Sequence, residues 1–144
     1  LQHAGKLLED RLRCRLDALG LHPAQGHVLR LLAVRDGVSQ RELTEMMRIA
    51  APTVSGVLKR MEAVDLIERH PDTEDERVVR VFLTVRGREI SRAARAAIHE
   101  IEQTLIAELS RQELRTAHTM LRKLRDNLGG RPPGDEPPVT RIVP

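Results

Sequence analysis

Thr53, Ser55, Gly56, Lys59 and Arg60 fall on one side of a short helical repeat, opposite Val54, Val57, Leu58 and Met61. Pro52 suits the first turn of that helix. Small polar residues let a backbone approach base edges and phosphates closely, and Lys59 and Arg60 can neutralise phosphates. Base contacts by Pro52, Thr53 and Ser55 would each carry about 1–3 kcal/mol of sequence preference. Arg77 follows an acidic stretch, where an arginine can enter a narrow, negative minor groove. Ser39 and Gln40, at the start of the preceding helix, are expected to join this set. A plainer reading of Lys59 and Arg60 as solvated charges stays open, as does pairing of Arg77 with Asp75 to fix a hairpin. No glycine-rich phosphate loop, nucleophile elbow or metal-hydrolase spacing is present. The chain is therefore not read as an enzyme, and neither a cofactor nor a metal set is assigned.

The elements that must carry these residues follow from periodicity. Leu8, Leu12, Leu16 and Leu19 make a helical stripe over residues 4 to 19, and Gly20 ends it. Pro23 opens a second helix and Asp36-Gly37 breaks it. Ser39-Gln40-Arg41-Glu42 is a capping box that starts a third helix, whose inner face is Leu43, Met46 and Met47. After a short link comes the fourth helix, ending near Met61. Leu66 to Arg69 and Val78 to Leu83 read as antiparallel strands, and His70 to Glu76 as a solvated acidic tip. A long fifth helix begins at Thr84. A second capping box, Ser110-Arg111-Gln112-Glu113, restarts the chain as a sixth. There Leu114, Ala117, Leu121, Leu124 and Leu128 make a narrow coiled-coil-like seam. The fold class is thus mainly α: a winged helix-turn-helix with a small β-hairpin wing and a helical dimerisation region. Residues 21–84 are the expected DNA-binding region. Residues 1–20 and 85–128 are the expected dimerisation region, and 129–144 a Pro/Gly-rich tail that packs on something.

Composition narrows the partners. A chain of 144 residues can bury about two thirds of its unfolded surface. With one Phe and neither Trp nor Tyr, its core must be aliphatic. The net charge of +3 is compatible with a polyanion such as double-stranded DNA. A single cysteine, Cys14, excludes an internal disulfide and fits a reducing cytoplasm. No apolar run approaches the roughly 20 residues of a membrane span, and no signal peptide is recognisable. The chain opens at Leu1 without a methionine, so residues preceding it are expected.

Asp72-Thr73-Glu74-Asp75-Glu76-Arg77, followed by Val78 to Leu83 and Thr84, resembles the wing signature of the MarR family of bacterial transcriptional regulators. So do Leu21-His22-Pro23-Ala24-Gln25, Ser39-Gln40-Arg41-Glu42-Leu43 and Leu58-Lys59-Arg60-Met61-Glu62. The likeness covers roughly residues 5 to 128. It departs at Asp65, Thr73 and Glu76, where the family often has Gly, Pro and a basic residue. The resemblance implies a homodimer built from the first, fifth and sixth helices, with Leu8, Leu12, Leu114, Leu121, Leu124 and Leu128 at the interface. It implies a repressor on a pseudo-palindromic operator. The fourth helix would read the major groove and Arg77, oriented by Asp75, the minor groove.

The resemblance also implies a small-molecule effector between the two regions. Without Trp or Tyr, a pocket here would be aliphatic, with Arg or His partners. Cys14 does not match the family's redox-sensing position and is read as an interface or core thiol. Glu9 and His27 resemble half of a zinc-sensing site, but Ala94 and Ile98 occupy the places of the other half. A zinc-responsive regulator therefore stays as an alternative, alongside a winged-helix protein-interaction module that does not bind DNA.

Overall fold

The structure, a computed structural model, describes residues 2–130. The expectations for the tail from residue 131 onward lie outside the described residues. The chain divides after Gln103 into two compact units.

In the first unit, α1 (Gln2–Asp17) buries Leu16. The helix stops two residues before its predicted end, because the chain turns into a closed C-terminal motif. Leu21 N–H donates to Leu16 O and Gly20 N–H to Asp17 O, both at 2.9 Å, with Gly20 in the left-handed region at φ +70. Buried Leu21 closes the motif. α2 (Pro23–Val34) follows at once. His22 caps it: its Nδ1 accepts from Ala24 N–H at 3.2 Å, while Gln25 Oε1 accepts from His22 N–H at 2.8 Å. Both predicted capping boxes form. Ser39 and Glu42 start α3 (Gln40–Met47), and in the second unit Ser110 and Glu113 start α6 (Arg111–Asn127).

A sheet of three antiparallel strands, ordered β1-β3-β2, holds the first unit together. The outer strands are β1 (Val38–Ser39) and β2 (Ile67–Pro71), and β3 (Val79–Leu83) lies between them. Val38 pairs with Val81 on one side, and Ile67 with Leu83 on the other. Two expectations are corrected here. The first strand of the hairpin runs to Pro71, so His70 and Pro71 belong to the ladder rather than to the tip. Proline is tolerated because β2 is an edge strand, whose free side needs no donor. And β1, only two residues long, was not foreseen at all.

The core is aliphatic, as composition requires. Val28, Leu29, Leu32, Val38, Leu43, Val54, Leu58, Met61, Ile67 and Val81 are almost fully buried. α4 (Ala51–Ala63) contributes its predicted inner side. Asp65 then takes φ +58 at the turn into β2, a conformation that glycine adopts without strain. This gives a physical reason for the glycine that the resemblance expects there. The aspartate replaces it at a cost of about 1 kcal/mol.

α5 (Val85–Ile106) leaves the sheet through a tight corner. Thr84 Oγ1 donates to Asp65 O at 2.6 Å and accepts from Gly87 N–H at 2.9 Å. Asp36, in the turn after α2, braces the same corner. Its carboxylate accepts from Leu83 N–H and from Arg88 Nη1, each at 2.9 Å. The first turn of α5 lies so close to the start of β2 that a Cβ on Gly87 would stand 1.9 Å from Leu66 O. That obstacle is backbone and cannot rotate away. Gly87→Ala should therefore lower stability by about 3 kcal/mol, read as a fall in the urea midpoint. An unchanged midpoint would show that α5 can lift off the sheet freely.

Candidate nucleic-acid interface

Two short helices and a two-stranded wing place the polar residues singled out above. α3 ends at Arg48, whose left-handed backbone (φ 53) turns the chain sharply into α4. Ala50, the residue before α4, offers no side-chain cap. Instead Thr53 N–H folds back to Ala50 O at 2.9 Å. Pro52 carries no N–H, so one orphan donor of this helix start is removed.

The outer face of α4 is where periodicity put it. Pro52, Thr53, Lys59 and Arg60 are exposed, and Ser55 and Gly56 are half-buried. A Cβ on Gly56 would touch Arg60 Nη1 at 3.6 Å, so the guanidinium leans back over the glycine. Gln40, Thr44, Ala51, Arg77 and Val79 line one concave surface of about 590 Å³ between α3, the start of α4 and the wing. Helix start and wing thus meet at one groove. Ser39 also lines it, but it is buried, and its hydroxyl accepts from Glu42 N–H at 3.1 Å. Its first task is the cap. Burial raises the pKa of Glu42, but hydrogen bonds to Ser39 and Arg35 more than reverse this, so its pKa ends below the ordinary carboxylate value.

The wing differs most from its sequence reading. Asp72, expected to lie in a solvated acidic tip, is buried. Its Oδ2 accepts from Arg80 Nε. Its Oδ1 accepts from Glu74 N–H at 2.8 Å and Asp75 N–H at 3.1 Å. Arg80 Nη1 in turn donates to Gly37 O at 3.0 Å. The hydrogen bond from Arg80, helped by the two backbone N–H groups, holds the Asp72 carboxyl below its ordinary pKa. Only Glu74, Asp75 and Glu76 remain as exposed acids at the tip.

Asp75 accepts from Arg77 N–H at 3.0 Å, whereas the side-chain pair stands at 3.9 Å. Asp75 therefore fixes the backbone of Arg77 more than its guanidinium, which is 93% exposed. A second brace joins wing and helix: Arg69 Nε donates to Glu62 Oε2 at 3.0 Å, from β2 to the last turn of α4. That bond depresses the pKa of Glu62. Neither the Asp72–Arg80 pair nor the Glu62–Arg69 pair was picked out from sequence. The spacing across the hairpin was visible, but strand ends misplaced by two residues hid the register.

Elsewhere, Cys14 is exposed, which removes its reading as a core thiol. Glu9 and His27 line one open cleft with Arg13, Arg30 and Ile98. No group of three or more metal-ligating side chains occurs among the described residues. In the second unit, α6 buries none of its residues: Leu121 is 62% exposed, and Leu128, just past the helix end, 88%. No helix among the described residues is long and apolar enough to cross a membrane.

A helix-turn-helix packed beside a β-wing defines a winged-helix protein. The family model described as MarR family matches residues 21–79. The HTH-type transcriptional repressor Rv2887 of Mycobacterium tuberculosis is 27% identical over 124 residues, 86% of this chain and 89% of its own. The fold superposes on the DNA complex of Staphylococcus aureus MepR with a TM-score of 0.77 at 27% identity, covering 88% of this chain and 93% of that one. Apo MarR of Escherichia coli has the same fold, with a TM-score of 0.75 over 85% of this chain and 91% of that one, at 23% identity. The chain thus carries a MarR-family domain over residues 21–79 and shares the fold of solved MarR-family structures.

The depressed pKa of Asp72 fixes a sign for pH. Its stabilising effect is complete above the ordinary carboxylate pKa of about 4 and is lost as pH falls through the lower native value. The amides of Glu74 and Asp75 should keep their protection from pH 7 to about 4 and lose it only below. Hydrogen exchange followed by NMR checks this, and loss already between about pH 7 and 5 would count against the pairing.

Proposed function

We propose that this chain is a homodimeric repressor that binds a pseudo-palindromic operator in double-stranded DNA and is released by a small effector. It acts in the cytoplasm, where bacterial DNA lies. Residues 21–84 bind DNA, while residues 1–20 and 85–128 dimerise. The observation that carries this reading is the shared groove of Gln40, Thr44, Ala51 and Arg77 beside the exposed face of α4. The major groove is wide enough to admit one helix. Pro52, Thr53 and Ser55 are the base-reading residues, Lys59 and Arg60 the phosphate contacts, and Arg77 the minor-groove probe. The names of relatives support the same reading: Rv2887 is called a repressor, and MepR was solved on DNA.

The dimer half of the proposal rests on solvent-facing leucines. Leu114, Leu121, Leu124 and Leu128 follow seam spacing on a helix without a buried residue. A second copy supplies the cover that such a seam needs. Leu8 and Leu12 on α1 are half-buried, and Leu7 beside them is 51% exposed. Two half-sites one helical turn apart stand about 34 Å apart, so a modest change in the separation of the two α4 helices breaks simultaneous docking. The cleft holding Arg13, Arg30 and His27 suits an effector with a polar end and an aliphatic body.

Two measurements test the two halves. Affinity for DNA from the chain's own upstream region should fall about 1,000-fold or more between about 50 and 200 mM salt if several phosphates are neutralised. No binding even at low salt defeats the DNA reading and leaves the protein-interaction alternative. Leu121→Asp should convert the dimer to monomer in sedimentation, because it sets a charge into the seam. An intact Leu121→Asp dimer removes α6 from the interface.

A further inference from the structure

We infer that Arg80 is a positioning residue for DNA binding, a hub that sets where Arg77 is presented. The inference rests on the DNA-binding reading above. Its physical basis is a continuous relay on the wing. Arg80 Nη1 donates to Gly37 O, just before β1, at 3.0 Å. Arg80 Nε donates to Asp72. Asp72 gathers the N–H groups of Glu74 and Asp75. Asp75 then receives the N–H of Arg77 at 3.0 Å. The wing tip is thereby tied across the central strand to the turn before β1, which leads into α3.

The rest of the wing offers little else to do this. Tip residues 73 to 77 are all exposed and bury no apolar side chain. Backbone closure comes from Asp72 N–H to Val78 O at 2.8 Å and Val78 N–H to Asp75 O at 2.9 Å. These bonds shape the loop but do not attach it to β1. Arg80 does, because its planar fork reaches two acceptors at once. His70 pairs with Arg80 across the strands, and its ring leans on Phe82 at 5.8 Å. Arg80 also matches the Asp72 carboxylate with a positive charge. That leaves one fewer bare acid facing the phosphates.

Acting through Arg77 has a signature that a merely structural role lacks. In the wild-type background, Arg77→Ala should weaken operator binding about 10-fold. In an Arg80→Ala background, the same change should weaken it less than about 2-fold, since the contact is already misplaced. Arg80→Lys keeps the charge without the fork and should recover only part of the Arg80→Ala loss. Losses that multiply overturn the inference. If Arg80→Ala fails to give the native thermal transition, the Arg80→Lys background takes its place, with Arg77→Ala again costing less than in wild type. A wild-type protein that binds no DNA defeats the functional reading instead. The relay is then decided on free protein: the amides of Glu74, Asp75 and Arg77 should exchange at least about 10-fold faster in Arg80→Ala. Unchanged exchange overturns the relay.

Discussion

Val81 sits where two ladders meet: it faces Val38 on one side and Arg69 on the other, and its own side chain is fully buried. β3 is therefore paired on both sides at Arg80 and Val81. Everything that presents polar groups outward hangs from it. β1 leads into the capping box of α3, β2 returns from the end of α4, and Leu83 N–H meets Asp36 beside the first turn of α5. A strand of five residues thus sets the relative places of the groove-facing helix, the wing and the long helix. Moving β3 by one register would turn Val81 outward and Arg80 into the core. The buried valine makes that slip very costly.

The wing shows how net charge misleads without geometry. Counted along the chain, its tip looks hostile to a polyanion. In three dimensions one of its acids is enclosed by Arg80 and by two backbone donors, and another fixes the backbone of Arg77. Carboxylates that accept several hydrogen bonds act as structural fasteners. The buried Asp72 thus ties the tip through side-chain and backbone bonds, with threonine rather than proline at position 73.

Local signals were legible and long-range ones were not. Capping boxes at Ser39 and Ser110, the proline opening α2 and the inner side of α4 follow from residues within one turn of each other, and each is found as read. The outer face of α4 follows from the same periodicity. β1 could not be read, because two residues carry no period and owe their strand geometry to pairing with β3. His70 and Pro71 look like turn residues, and only the edge position of β2 makes them strand. Ser39 was read as both cap and DNA contact; its burial commits it chiefly to the cap. Cys14 stands two residues from both Leu12 and Leu16, on the opposite side of α1 from the leucine stripe, and is accordingly exposed.

Phe82 is the one aromatic carbocycle in this chain, and it lies in the wing with its ring against His70. With no tryptophan and no tyrosine, the protein is almost dark in the near ultraviolet. That silence has a use. A fluorinated phenylalanine incorporated throughout would enter at a single place and give one fluorine resonance. Because Phe82 belongs to the strand that carries Arg80 and its ring leans on β2, that signal would watch the wing against an empty spectral background.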